Sequence, residues 1–220
     1  MAKFIVIEGT DGSGKATQTA MICKLLEEKG LPYKKLTFPR YDNPSSTLLK
    51  MYLGGEFGSD PNAVNPYAAS TFFTVDRYAS FKTEWKDFYE AGGIVVADRY
   101  TTSNAVHQAS KLEGEARDAY LQWLFDFEYN LMGLPAPDKV IFLDMPSELT
   151  FKLIQKRQGD TGDIHEQDHA YLEKCRANAL DVCEKFGWTH IYCGENGEVK
   201  SIEQIHREIM AEIGEVLGLE

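Results

Sequence analysis

Positive charge is in short supply in this chain. It has 23 Lys and Arg against 34 Asp and Glu, for a formal net charge of -11. Wrapping nucleic acid or an anionic membrane needs clustered Lys and Arg, so neither partner is expected. A basic pocket on an acidic surface is still allowed. Cysteine is sparse as well: there are four, Cys23, Cys175, Cys183 and Cys193, with no C-x-x-C spacing and no His cluster to complete a zinc pattern. Cys175 and Cys183 suit helix-packing thiols better than ligands, and the usage suits a reducing compartment. No apolar run approaches the ~20 residues that a membrane helix needs. The opening MAKFIVIEG enters a strand at once, without the charged and apolar regions of a signal peptide. A cytoplasmic location is the expectation. Internal repeats and low-complexity tracts are missing too.

What is present is ordinary in bulk and orderly in sequence. The 220 residues, 43% hydrophobic and 26% charged, suit one soluble domain spanning 1–220. Short apolar strands alternate with helices. Strands are expected at Phe4–Gly9, Tyr33–Phe38, Ile94–Ala97, Lys139–Asp144 and Trp188–Cys193. Helices are expected near Lys15–Lys29, Ser46–Leu53, Pro66–Tyr89, Thr101–Lys111, Glu115–Leu131, Glu148–Arg157, His169–Phe186 and Ile202–Leu217. This pattern predicts an α/β fold with a five-stranded parallel sheet flanked by helices. Function in such sheets gathers at the carboxyl ends of the strands. Those ends carry the glycine loop, FPRYDNP, DRYTTSN and DMPSE, all rich in charge, Pro or Gly.

The first of them, EGTDGSGKATQ (Glu8–Gln18), fits G-x-x-x-x-G-K with a strand before it and a helix after it. Gly9, Gly12 and Gly14 let the backbone turn and aim its N–H groups inward. Lys15 opens a helix whose N-terminus favours phosphate. A nucleotide site over Gly9, Asp11, Gly12, Ser13, Gly14, Lys15, Ala16 and Thr17 follows. The usual Ser or Thr after the lysine is here Ala16, with no hydroxyl for a magnesium ion. Thr17 is turned ~100° away and cannot simply substitute. Magnesium can rely on carboxylate and phosphates instead, and Asp98 at the end of the third strand is the natural carboxylate, directly or through water.

A glycine loop alone leaves ATPase, GTPase, kinase and regulator open. The GTPase motif N-K-x-D is absent. Arginines occur at three places: Arg40 after strand two, Arg99 after strand three, and Arg77 on the long helix. Arg is suited to bidentate phosphate recognition, so three near one sheet edge point to a second phosphate, and so to phosphoryl transfer between two bound nucleotides. Phe73 and Arg77, four apart, share a helix face. Asn104 can offer donor and acceptor together to a pyrimidine edge. The plainer alternatives are core aromatics at Phe72 and Phe73 and a helix-surface histidine at His107.

At this point the chain resembles a family. EGTDGSGKATQ, FPRYDNPSS, FFTVDRY, DRYTTSNAVHQ and GLPAPDKVIFLD stand in the order and spacing of bacterial thymidylate kinases, over Phe4 to about Trp188. The resemblance implies a three-layer P-loop kinase fold, ATP and dTMP as substrates, dTDP and ADP as products, Mg2+, and a homodimer with the Pro66–Tyr89 helix as a contact element. It implies that Phe73 stacks on thymine, that Arg77 lies near the base and acceptor, that Asn104 stands at the base-reading position, and that Ser103 before it belongs to the dTMP site. Asp11 matches the acid that holds the sugar 3′ hydroxyl. His107 stands where many relatives carry an aromatic against ribose. Arg40 and Arg99 would grip the acceptor phosphate, with Tyr100 in support. Relatives without an arginine in the loop supply one from a lid, here the charged stretch 156–168. Arg157 is the lid candidate and Arg176 the second; both on a solvated helix face is the alternative. Two other readings stay open, a deoxynucleoside kinase and a silent nucleotide-binding regulator. The first needs a carboxylate after strand two, where FPRY carries an arginine instead. The second rests on Ala16 and the arginine-poor lid.

Overall fold

Apolar residues at successive strand positions require cover on both faces of the sheet. The computed structural model describes residues 1–10, 12–60, 62–146, 148–150 and 169–219, and it meets that requirement. Strands β1 (Lys3–Gly9), β2 (Tyr33–Thr37), β3 (Ile94–Asp98), β4 (Lys139–Asp144) and β5 (Thr189–Tyr192) form one parallel sheet in the order β2-β3-β1-β4-β5. The two faces follow from the period of two. Ile5 and Ile7 pack with Ile22 and Leu26 of helix α1 (Lys15–Glu28) and with Ile205, Ile209 and Ile213 of the last helix, Ile202–Leu217. Phe4 and Val6 face Phe81, Trp85 and Tyr100 on the other side. Each such side chain, fully buried, contributes about 1.5–3 kcal/mol.

Three further helices frame the sheet edge: α2 (Thr47–Leu53), α3 (Pro66–Ser80) and α5 (Thr101–His107). Helix α3 starts where the sequence dictates. Asn65 Oδ1 accepts the Ala68 N–H at 2.9 Å and Pro66 takes the first turn. The expected single helix to Tyr89 is not continuous. A π turn at Phe81–Trp85 separates α3 from α4 (Lys86–Glu90). Helix α6 (Gly114–Phe125) likewise runs into a π turn, Asp126–Leu131, where one helix to Leu131 was expected. Neither π turn contains a Pro or Gly, so no helix breaker in the sequence marks the interruption. Helices α7 (His169–Phe186) and α8 (Ile202–Leu217) stand at the expected bounds. Ser201 and Gln204 close a capping box on α8, with mutual bonds of 3.1 and 2.9 Å. The sequence reading missed a small antiparallel hairpin, β6 (Gly194–Glu195) with β7 (Glu198–Val199). No described helix is long and apolar enough to cross a membrane.

The order has β1 at the centre, with β3 on one side and β4 on the other. The chain reverses its direction of winding there, and a crevice opens at the carboxyl ends. Ile7 pairs with Asp98, so Glu8–Gly9 and Arg99–Tyr100 leave the sheet side by side.

Candidate active site

Gly9 ends β1 with φ 157°, and a Cβ there would lie 2.4 Å from Ser13 Oγ and 2.7 Å from Leu143 O. Only glycine fits between the loop and β4. Gly14, at φ 88°, caps α1 in a left-handed conformation. Lys15 is the first residue of α1; it is buried, and its Nζ donates to Thr10 O at 2.8 Å. Ser13 Oγ is buried without a hydrogen-bond partner. Backbone N–H groups left over at the start of α1, an ammonium folded against the loop and an unsatisfied hydroxyl together suit an oxyanion. Ala16 and Thr17 are both exposed in the first turn of α1. Asp11 lies outside the described residues.

Beside the loop sits a carboxylate that sequence reasoning passed over. Glu8 is fully buried. Its Oε1 accepts the Gly9 N–H at 3.0 Å and faces Arg99 Nη1 at 3.5 Å; its Oε2 accepts Thr102 Oγ1 at 2.7 Å and Ser103 Oγ at 2.8 Å. One side chain thus ties the glycine loop to the start of α5. The period-two pattern offers a signal, since Glu8 shares the face of Phe4 and Val6, an apolar face where a charge needs partners.

A cleft opens between the ends of β2 and β3 and the helices α2, α3 and α5. From the β2 end Phe38, Pro39 and Tyr41 line it; from α2 and α3 Leu53, Phe73 and Arg77; from the β3 end and α5 Arg99, Ser103, Asn104, His107 and Gln108, with Tyr100. Arg99 has φ 67°, the left-handed region that costs a non-glycine residue of order 1–3 kcal/mol and recurs at functional sites. Its guanidinium meets Ser103 Oγ at 3.2 Å and His107 Nε2 at 3.3 Å. His107 is buried, which overturns the surface reading of it. Phe73 meets Tyr52 edge-on at 6.3 Å. Phe72 packs on Tyr52 and Phe57 and is not among the lining residues. Asp98 is buried at the end of β3.

The floor of the cleft is a polar network. Arg77, 1% exposed, donates to Asn104 Oδ1 at 2.9 Å and through Nε to Glu128 Oε2 at 2.8 Å, and its Nη2 also bonds Glu128 Oε1. Burial works against the Arg77 charge, but Glu128 beside it outweighs that and holds its pKa above the ordinary value. Tyr100 packs on Phe4 at 4.8 Å and under the Arg77 guanidinium at 5.9 Å, and burial pushes its phenol well above the usual range. Gln108 was also missed. It is 1% exposed, its Nε2 donates to Tyr52 OH at 3.3 Å, and its Oε1 is buried with no partner. A cleft wall with an unsatisfied carbonyl is set for a ligand N–H. Its place one turn after Asn104 was the available signal.

Arg40 stands apart. It bonds Asp76 Oδ1 at 3.0 Å through Nε, Ser45 Oγ at 2.9 Å, and Glu84 through Nη1. Tyr41 lines the cleft in its place. Arg176 is not on a solvated face: it forms a double bond-pair with Asp144 at 2.5 and 3.0 Å, at the end of β4. Arg157 and the stretch 156–168 lie outside the described residues.

Comparison with known proteins agrees with this geometry. The family model described as thymidylate kinase matches residues 7–209. A probable thymidylate kinase of Pyrococcus horikoshii is 32% identical over 219 residues, covering 98% of this chain and 98% of its own. One of Thermococcus gammatolerans is 31% identical over 212 residues, covering 96% and 95%. The thymidylate kinase of Mycobacterium tuberculosis is 30% identical over 190 residues, covering 84% and 87%. A solved thymidylate kinase of Candida albicans, 22% identical, superimposes with a TM-score of 0.74 over 100% of this chain and 94% of its own, which supports the P-loop kinase fold.

Proposed function

The chain belongs to the thymidylate kinase family, and from that membership we propose that it transfers the terminal phosphoryl group of ATP to dTMP, giving dTDP and ADP. One observation carries the reading to this chain: the glycine loop after β1 and the arginine-floored cleft after β2 and β3 leave the sheet side by side, so a donor and an acceptor would meet between them. Neither a silent regulator nor a deoxynucleoside kinase is favoured. A regulator has no use for a buried Arg77–Asn104 pair, and an arginine stands where a nucleoside acceptor would need a base. The narrower likeness to bacterial members rests on the quoted motifs alone.

Phosphoryl transfer asks for alignment, charge neutralisation and exclusion of water. Lys15 and the amides of Gly9–Thr17 would hold the donor phosphates. Arg99 would meet the acceptor phosphate, with Tyr41 beside it; Arg40 would join only by giving up Glu84. Phe73 would stack on the base, Arg77 and Asn104 would bond its edge, and Ser103 and His107 would flank the sugar. Asp11 and Arg157 keep the roles the resemblance implies, at the sugar and in the lid. Magnesium would be held chiefly by phosphates, with Asp98 as the protein carboxylate; bound there, it supplies positive charge to the donor oxygens. The donor set fits this. Asp98 is a buried carboxylate at the end of β3, beside the glycine loop that leaves β1.

The whole chain acts as a single domain in this reading, in the cytoplasm. A homodimer through the Pro66–Tyr89 stretch is what the resemblance implies, and Val75 on α3, 49% exposed, offers an apolar side chain there. Light scattering on the purified protein tests that point. The reaction itself is tested by phosphorus NMR of a mixture of protein, ATP, magnesium and dTMP. Equal amounts of ADP and dTDP support it; ADP without dTDP refutes it.

A further inference from the structure

We propose that Glu128 is the positioning residue for pyrimidine recognition: it holds Arg77, and through Arg77 it fixes which way round the Asn104 amide faces the acceptor base. The inference rests on the reading of the cleft as the dTMP site.

Glu128 lies on the π turn Asp126–Leu131 and is fully buried. Its Oε1 meets Thr74 Oγ1 at 2.7 Å and Arg77 Nη2; its Oε2 meets Arg77 Nε at 2.8 Å and Thr101 Oγ1 at 2.5 Å. A carboxylate has about four lone-pair sites, and each faces a donor; the Thr74 hydroxyl, which also lies 2.9 Å from Ser70 O, makes its shorter contact here. Turning it would break bonds to α3 and α5 together. Arg77 is therefore held by two parallel bonds, and a guanidinium only donates. The Asn104 atom 2.9 Å from Arg77 Nη2 must then be the carbonyl oxygen, Oδ1. The other end of the amide agrees. Asn104 Nδ2 lies 2.9 Å from Ser70 Oγ, whose single proton has Pro66 O at 2.7 Å and Tyr120 OH at 2.6 Å to go to. With its proton on either of those, Ser70 accepts from Asn104, and of the two ends of the amide only the NH2 can donate. Asn104 is locked from both sides.

The locked amide has a chemical consequence. It offers an acceptor, Oδ1, next to the donors of Arg77. Thymine and uracil present N3–H beside a 4-carbonyl and match that pair. Cytosine presents a bare N3 beside a 4-amino group and is reversed. Sequence position says nothing of this, since Glu128 and Arg77 are 51 residues apart.

Glu128→Gln tests the proposal because Gln keeps the shape but turns one oxygen into a donor. Whichever way it sits, an N–H then opposes Arg77 or a threonine hydroxyl. The assay is steady-state kinetics of the whole chain with ATP and magnesium, varying dTMP and dCMP separately. The expected result is a dTMP KM raised about 10- to 100-fold with the ATP KM within about twofold, and a dTMP over dCMP preference in kcat/KM reduced at least about 10-fold. A folded variant with unchanged dTMP KM, or one that loses both acceptors equally as a merely structural residue would, overturns the proposal. If Glu128→Gln does not fold, Thr101→Val removes one donor to Oε2 and keeps the charge. A rise of about threefold or more in dTMP KM at constant kcat is then expected, and no rise overturns it. Wild-type protein that turns over no acceptor at all overturns instead the function on which the proposal stands.

Discussion

Gly9→Ala offers a sharp test of the phosphate cradle. In the register of the sheet Gly9 pairs with Leu143, and a Cβ would stand 2.7 Å from the Leu143 carbonyl. Ordinary contact starts at 3.4 Å, so loop or strand must retreat by roughly 0.7 Å. The strand is held by its ladder on both sides, so the loop moves. Overpacking of this kind costs about 1–3 kcal/mol, which for a chain of this length lowers Tm by about 2–12 °C. Misplacing a binding group by ~1 Å costs on the order of 100-fold in rate, so kcat/KM for ATP should fall about 10- to 100-fold. Gly30→Ala is the control. Gly30 also has positive φ, 67°, but nothing lies within 4 Å of an added Cβ and it ends α1 away from the loop. It should lower Tm by a few degrees, for about 1 kcal/mol of strain, at unchanged activity. Differential scanning calorimetry and ATP-dependent steady-state rates measure both. A Gly9→Ala protein with the full kcat/KM for ATP, or a Gly30→Ala protein equally impaired, would refute the steric argument.

Three further outcomes are expected. Lys15→Ala should lower kcat by about 100-fold or more, as loss of a preorganised cation at a developing charge does; a turnover number within threefold of wild type would remove Lys15 from the site. Arg77→Ala should raise the dTMP KM far more than the ATP KM. It should also destabilise by about 3–5 kcal/mol, because Glu128 is left buried and unpaired; urea melts and kinetics on one preparation read both. Lys111 donates to Tyr52 OH at 3.0 Å and Val64 O at 3.2 Å, and burial pushes its ammonium from the ordinary 10.5 down to about 8. Between those two values the unfolded chain holds a proton that the folded chain has lost, so this group makes stability rise with pH across that window. Lys111→Met should remove the rise; urea melts of both proteins at pH 7.5 and 9.5 that show parallel slopes would contradict the assignment.

The sheet was legible because its strands are apolar at successive positions and end in glycine, proline or charge. The glycine loop was legible for the same reason: its conformations are encoded in residues adjacent in sequence. The polar residues under the cleft were not. Glu8 is satisfied by Thr102, 94 residues away, and Glu128 by Arg77, 51 residues away; nothing local reports a partner at that distance. Glu128 further sits on a π turn that no Pro or Gly marks in the sequence. Arg40 shows the converse: the motif around it was clear, but its carboxylate partners, Asp76 and Glu84, come from another helix and the turn after it. Gln108 was visible as a residue, and only the burial of its unpaired carbonyl marks it out.

Coupled ADP release with ATP and magnesium, comparing dTMP, dUMP, dCMP, the ribose analogue of dTMP, thymidine and no acceptor, tests the proposed reaction most directly. Release that is rapid with dTMP, slower with dCMP and at background with thymidine is the predicted result. Release at background with every monophosphate, in a protein that still binds ATP, would contradict it.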